Sequence, residues 1–598
     1  MCGIHGITWS DKDKVAQMIK AAHHRGPDGS DVYGDDRITL GHNLLSIIGE
    51  TDKGRQPYHL PDGSVMVYNG EIYNYKDLKV RGQVYTDGTD TEVLAKGLMV
   101  EGLSFLDKVD GMFAIAYYNK SKRTVTLIRD HYGVKPLYYT EVNGKLAFSS
   151  EINSLLLLGV DRSLDKFGLG LYSRLGYVPG YRTLFHNIKK LCPGETIVYH
   201  LKKRRLKKNT LHRYNFLYPI YKKKRHYELD FLDSNIKLFN KVVNNAYIGK
   251  RPVGLFLSGG LDSCSILHEL RRDSDKNINT FTTRFSDGTG WRVNSDADVA
   301  LKAAEHYGTN HNEIIITPKD FIDSIEGSIK ALGVPRYNKS TPIYHKTNKV
   351  MSDSGIVVTL SGDGGDEIYT GYKKHYGIKK ASNNRQIILN WLKKWGFPPA
   401  KTLELKNKKI ILSDDQIADY ILEWFPTHCF STDHVNNHLF VGLLTYLPED
   451  YLTRNDKLGM SVSMEGRMPI LSQSYVSRIM KISSDIKLTV SNKDVWSNLQ
   501  NRGTYKYLIR RGYYRDIPGD ILMKKKTGWS APVKQWSNNK KYTSKLKQYL
   551  RSEYNIESSE LCNWQAVLKD GKIHGMNLKQ TFSAIYFRCW MENFKVTV

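Results

Sequence analysis

Cysteine is scarce in this 598-residue chain. The six cysteines, Cys2, Cys192, Cys264, Cys429, Cys562 and Cys589, are spread over the whole length, and none forms a Cys-x-x-Cys pair. That spacing offers neither a zinc site nor a disulfide framework, so a reducing compartment and free thiols are expected. Long apolar runs are missing too. No stretch approaches the roughly 18 uninterrupted apolar residues of a membrane helix. Asp11, Lys12, Asp13 and Lys14 interrupt the N-terminus before a basic-then-apolar leader could form. A soluble, cytoplasmic protein is the expectation. No Gly-x-x-x-x-Gly-Lys-Ser/Thr loop occurs, which sets kinase-type P-loops aside. Acidic residues are few, 61 Asp and Glu against 88 Lys and Arg, giving a formal charge of +27. They vanish altogether between Thr196 and Tyr227, where Lys202, Lys203, Arg204, Arg205, Lys207, Lys208, Arg213, Lys222, Lys223, Lys224 and Arg225 crowd together. Such a run can bind a polyanion. No RNA- or DNA-binding motif accompanies it, and a solvated basic surface is the plainer reading.

What is present suffices for more than one core. Hydrophobic residues make up 40% and aromatics 11%, and the length calls for at least two domains. Up to about residue 198 the chain reads as mixed α+β with abundant strand. Val65 to Tyr68 and Met112 to Tyr118 have strand length, Lys122-Arg123 turns into a second strand at Thr124–Arg129, and Thr91 to Met99 has helical periodicity. The basic stretch reads as an edge strand running into a charged loop, followed by a helix from Asp230 to Tyr247. From Val253 the grammar changes to strand–turn–helix alternation, which predicts a parallel sheet. Strands are expected at 253–257, 280–285, 312–316 and 355–360, with helices at 263–272, 297–307 and 342–352. After Gly371 the pattern is mostly helical, with loops around 524–532.

Cys2 stands directly behind Met1. Loss of Met1 would leave a thiol and a free α-amine on one residue. The thiol can attack a carbonyl and the amine can take up the proton. Cys2 alone says little, but His24-Arg25-Gly26-Pro27-Asp28, Asn69-Gly70-Glu71-Ile72-Tyr73-Asn74 and Asp87-Gly88-Thr89-Asp90-Thr91-Glu92 follow it in order. Taken alone, Asn69-Gly70 would read as a hairpin turn. Together these motifs resemble the class II glutamine amidotransferase domains of the N-terminal nucleophile hydrolase type. The resemblance implies that Cys2 is nucleophile and base in glutamine hydrolysis through a thioester. Asn69 and the Gly70 backbone N–H would form the oxyanion hole, and Glu71 and Asp90 would hold the glutamine α-amino group. One residue departs from the pattern. In Gly41-His42-Asn43-Leu44-Leu45-Ser46-Ile47, Leu44 stands where the family carries the arginine that clamps the glutamine carboxylate. Leucine has no donor fork, and Arg55, close in sequence, is the expected substitute.

Ser258-Gly259-Gly260-Leu261-Asp262-Ser263, between a buried strand and a helix, is a PP-loop signature. Its glycines let backbone donors wrap a pyrophosphate at a helix N-terminus. A second loop, Ser361-Gly362-Asp363-Gly364-Gly365-Asp366-Glu367, follows another strand at the edge where open α/β sheets bind ligands. With Tyr446-Leu447-Pro448-Glu449-Asp450, Arg454-Asn455-Asp456-Lys457, Ser463 to Pro469 and Lys526-Thr527-Gly528-Trp529, the chain resembles the glutamine-hydrolysing asparagine synthetases over about Met1 to Trp536. The resemblance implies adenylation of the aspartate side chain and attack of ammonia on the acyl-adenylate, with ATP and Mg²⁺ required. Asp262 and Asp366 would hold Mg²⁺. Ser258, Gly259, Gly260, Asp262 and Ser263 would wrap phosphates, while Leu257, Thr283, Ser361 and Gly362 would touch the nucleotide. Lys526 would neutralise the leaving pyrophosphate. Asp363, where some relatives carry glutamate, would take a proton from ammonia or orient the substrate. Glu465 and Arg467 read as a buried ion pair of structural use.

The expected architecture is thus an αββα sandwich over 2–198, a basic connector over 199–229, and an α/β PP-loop ATP pyrophosphatase domain with a helical C-terminal part over 230–598. Glutamine, aspartate and ATP are the expected partners; a homodimer and nucleic acid at the basic segment are left open. Three further readings keep the ATP chemistry: amidation of another carboxylate, an ammonia-dependent synthetase with weakened glutaminase, and ring closure as in β-lactam synthetases. An intact Cys2 speaks against ring closure, which needs no ammonia. A last reading, of another class, is a nucleic-acid-associated protein on a retired scaffold; it conflicts with the intact Cys2, Asp262, Asp366 and Lys526.

Overall fold

The computed structural model describes residues 2–48, 54–86, 88–210, 225–272, 277–286, 292–293, 295–336, 338–396, 410–488, 505–524, 531–536 and 578–597. Two six-stranded antiparallel sheets build the N-terminal part. In the first, the strand Cys2–Ile7 lies between Thr39–Leu44 and Lys145–Ser149. In the second, Val65–Ile72 pairs with Gly111–Asn119, which pairs in turn with Thr124–Arg129. The sheets meet through Ile4, Leu40, Val65, Val67, Ala114, Ala116 and Phe148, all essentially removed from water. The helix Lys12–Ala21 covers the outer face of the first sheet through Val15, Met18 and Ile19. The helix Asp90–Glu101 covers the second, packing Val93, Leu94 and Leu98 against Tyr68 and Ile72. Strands buried on both faces read as continuous apolar runs rather than alternations; this is why 65–68 and 112–118 stand out in the sequence. The result is the αββα sandwich.

Asn69 and Gly70 lie inside the strand Val65–Ile72, so the dipeptide makes no turn. The basic stretch does begin with an edge strand: Arg205–Thr210 pairs with Glu195–His200 at the rim of the second sheet. Residues 211–224, with four of its eleven basic residues, lie outside the described residues. A helix over Arg225–Ala246 follows.

The second part is built on a parallel sheet. Val253–Phe256 is flanked by Asn279–Ser286 and Val358–Leu360, and Asn310–Ile316 extends it beyond Asn279–Ser286. Two elements differ from the sequence reading. A helix over Pro318–Leu332, closed by a Thr317/Asp320 capping box, lies between two expected elements. And Glu465–Arg467, within the stretch read as mostly helical, adds a parallel strand beside Val358–Leu360. Three residues leave no periodicity to detect; the strand exists because its neighbour offers a free edge.

The two parts share a buried polar seam. Arg25, fully buried, donates to Glu151 (2.8 Å) and to Asp456 (2.9 Å). Lys457 reaches Glu151 (3.0 Å) and Lys135 reaches Asp456 (3.4 Å). Burial opposes charge on Glu151, yet Lys457 and Arg25 beside it hold its carboxyl down at about 2. Buried ion pairs of this kind gain little net stability over apolar packing, but they fix register, because losing one partner strands the others.

Candidate active sites

The first site forms where the strand Cys2–Ile7 begins. Cys2 is paired in register with Leu44 and is 7% exposed. Its backbone N–H donates to Asn69 Oδ1 (3.0 Å), and its carbonyl accepts from Arg25 Nε (3.1 Å). Because Oδ1 must accept from Cys2, the amide orientation of Asn69 is set. Its Nδ2 is left buried with no hydrogen-bond partner. A buried donor without an acceptor is costly, and this one is available to an incoming oxygen. Gly70 is required here by its neighbours: a Cβ would lie 2.0 Å from the Met112 carbonyl oxygen. Burial pushes the Cys2 thiol above its ordinary value, so a base must remove its proton.

Asp90 opens the helix Asp90–Glu101 and accepts from Tyr68 Oη (2.9 Å) and from the Ile72 N–H (3.2 Å). Glu71 is nearly buried; one oxygen takes a 2.8 Å contact from Arg467 Nη2, and Oε1 has no hydrogen-bond partner. Arg467 also holds Glu465 (2.5 Å) and the carbonyls of Ala246 and Ile248. The Glu465–Arg467 ion pair is thus present, but it also reaches across to the other part of the molecule, which nothing in the local sequence announces. Arg55 is exposed, next to Gly54, which packs on Thr89 one residue ahead of Asp90.

The second site is a cavity of about 330 Å³ at the C-terminal edge of the parallel sheet. It gathers Leu257, Ser258, Gly260, Asp262, Ser263, Thr283, Ser361, Gly362, Asp363 and Asp366. Ser263 Oγ ties the first loop together, accepting from the Ser258 N–H (3.2 Å) and donating to the Gly260 carbonyl (3.0 Å). Gly259 has φ +68°, and a Cβ there would lie 2.1 Å from the Asp296 carbonyl oxygen, so only glycine turns the loop. The two loops interlock: a Cβ on Gly365 would sit 2.5 Å from Asp262 Oδ1. Asp363 accepts from Ser361 Oγ (2.9 Å) and Asn455 Nδ2 (3.3 Å), and burial raises its pKa although Arg454 opposes.

Several cations of this cavity escape a sequence reading. Lys506 forms ion pairs with both Asp262 and Asp366 (2.7 Å to the latter). Burial opposes its charge, but the two carboxylates hold its pKa above the ordinary lysine value. Arg510 lines the cavity with its pKa lowered to about 10 by burial. Lys524 contacts Asp296 there. Lys526, chosen among three consecutive lysines, lies outside the described residues, whereas Lys524 of the same run lines the cavity. Asp262 and Asp366, within ion-pair reach of one ammonium, suit a small divalent ion that takes its remaining oxygens from phosphate and water. Among the described residues no group of three or more His, Cys, Asp or Glu could hold a metal without such help, and no helix is long and apolar enough to cross a membrane.

Comparison with known proteins agrees with this geometry. The family model of a glutamine amidotransferase domain matches residues 1–214, and that of asparagine synthase matches 236–571. Asparagine synthetase [glutamine-hydrolyzing] 1 of Bacillus subtilis is 26% identical over 588 residues, 90% of this chain and 88% of that protein. Asparagine synthetase B [glutamine-hydrolyzing] of Escherichia coli is 30% identical over 419 residues, 65% of this chain and 67% of that protein. A solved B. subtilis glutamine phosphoribosylpyrophosphate amidotransferase aligns at 14% identity over 60% of this chain and 82% of that one, with a TM-score of 0.28. With the second matched segment spanning more than half of its length, the chain belongs to the asparagine synthase family.

Proposed function

We propose that the chain makes asparagine from aspartate, ATP and the amide nitrogen of glutamine, releasing glutamate, AMP and pyrophosphate. The observation that carries this reading is the presence of two chemically distinct sites in one chain, with a buried seam of ion pairs between the two parts that carry them. At the first, removal of Met1 frees the Cys2 α-amine, which takes the thiol proton as the sulfur attacks the glutamine amide carbon. Asn69 Nδ2 and the Gly70 N–H receive the developing oxyanion, and Glu71 Oε1 and Asp90 accept the substrate's α-ammonium. The proton passes to the leaving ammonia, and water cleaves the thioester to give glutamate.

At the second site the aspartate side-chain carboxylate attacks the α-phosphorus of ATP and pyrophosphate departs. The loops Ser258–Ser263 and Ser361–Asp366 hold the nucleotide. Asp262 and Asp366 would bind Mg²⁺, which supplies charge neutralisation on the pyrophosphate, and Lys526 is assigned to the same task. Ammonia attacks the acyl carbon of β-aspartyl-AMP, AMP leaves, and Asp363, with its raised pKa, is suited to take the proton that the nitrogen loses. Leu44 in place of the carboxylate clamp supports one variation on this reading, an enzyme that uses free ammonia readily and glutamine weakly.

The test separates the sites. Cys2→Ala abolishes glutamine-driven asparagine synthesis and spares the ammonia-driven reaction; Asp262→Asn abolishes both. Undiminished glutaminase in Cys2→Ala, or near-normal AMP formation in Asp262→Asn, contradicts the assignment.

A further inference from the structure

Lys506 is the only residue among those described whose side chain bridges both carboxylates expected to bind the metal. It is 4% exposed and reaches the cavity from a separate part of the chain, 244 residues beyond Asp262. Its placement is constrained rather than incidental. Its backbone lies in the left-handed region, with φ +68°, a conformation that a non-glycine residue holds only when its surroundings demand it. Gly371 leaves room for the arrangement, since a Cβ there would lie 1.8 Å from Asp366 Oδ1 and 2.6 Å from Lys506 Cε. The glycine thus admits the lysine stem and the carboxylate side by side.

An ammonium bridging Asp262 Oδ2 and Asp366 Oδ1 and a divalent ion bound between the two carboxylates compete for the same negative charge. Placed there together they would be two cations a few ångströms apart, which repel strongly in a buried site. We infer that Lys506 is a resident counter-cation of the pyrophosphate site, holding Asp262 and Asp366 against free divalent metal until a polyphosphate draws the ammonium away from the carboxylates. The inference rests on the metal role of Asp262 and Asp366 proposed above. It makes metal entry conditional on nucleotide: the phosphates supply negative charge for the lysine and oxygens for the ion in one event. Free metal then cannot pre-load the cavity in an arrangement that blocks the phosphates, and the two acidic side chains never face each other uncompensated.

The experiment is titration of the full-length chain with Mn²⁺, read by the electron paramagnetic resonance of the free ion, with and without ATP. Wild type is expected to bind Mn²⁺ weakly alone and tightly with ATP. Lys506→Met is expected to bind Mn²⁺ alone about tenfold or more tightly than wild type, with the gain lost in the Lys506→Met/Asp262→Asn double variant. Lys506→Arg, which keeps a cation, should stay weak. Should the Met variant not fold, Lys506→Gln is read in its place. Unchanged or weaker Mn²⁺ binding in the neutral variant, beside normal Asp262-dependent binding of Mn²⁺ with ATP in wild type, overturns the inference alone. Failure of Asp262→Asn to weaken Mn²⁺ binding with ATP overturns instead the metal assignment on which it rests.

Discussion

Leu44 sits directly across the strand ladder from Cys2, the position from which a side chain could meet the carboxylate of a bound glutamine. A leucine there removes one charge-assisted, bidentate contact. Such contacts contribute about 1.5–3 kcal/mol, so a site in which nothing replaces the arginine should bind glutamine roughly ten- to a hundredfold more weakly than one that has it. If nothing replaces the clamp, Leu44→Arg should lower the glutamine KM by that factor and leave ammonia use unchanged. If Arg55 makes the contact, Leu44→Arg does little and Arg55→Ala raises the glutamine KM instead. Steady-state kinetics with both nitrogen donors decide between them, and a KM unmoved by either substitution rejects both. At this scale the sequence was informative where a residue's type is itself the chemistry. Cys2, Asn69, Glu71, Asp90, Asp262 and Asp363 are brought together in the two groups that the motifs suggest. It was silent on Lys506, Arg510 and Lys524. One lysine among 88 basic residues carries no local signal, and its place is decided by packing against loops hundreds of residues away.

The helix Thr453–Met460 shows how one element serves both sites. Arg454 lines the second cavity, Asn455 donates to Asp363, Asp456 pairs with Arg25 beside Cys2, and Lys457 pairs with Glu151. Four successive residues point around a helix at about 100° per step, so one turn faces the cavity on one side and the seam on the other. The strand Glu465–Arg467 backs it. Gly466 is pressed so closely against this helix that a Cβ would lie 1.5 Å from Asn455 Oδ1. Gly466→Ala must therefore push Asn455 away from Asp363. The expected outcome is an aspartate KM raised several-fold with glutaminase retained; an unchanged aspartate KM would show that Asn455 does not position the acceptor. Elements such as 253–256 and 111–119 were readable because burial on both faces gives apolar runs. The 465–467 strand was not, because three residues have no period and depend on a neighbouring edge.

Across the whole molecule, the order of motifs along the chain made the two-part design legible, and the buried seam did not. Arg25 and Asp456 are 431 positions apart and Glu71 and Arg467 are 396 apart; no local pattern forecasts which buried charges will meet. That seam gives the central claim its physical content, because on the proposed route nitrogen released at Cys2 becomes the amide of the product made at the other site. The most direct test supplies [amide-¹⁵N]glutamine, aspartate, ATP and Mg²⁺ to the intact chain and analyses the products by mass spectrometry. The account predicts ¹⁵N in the side-chain amide of asparagine, with one glutamate, one AMP and one pyrophosphate formed per asparagine. Labelled ammonium accumulating without labelled asparagine, or ADP in place of AMP, would contradict it.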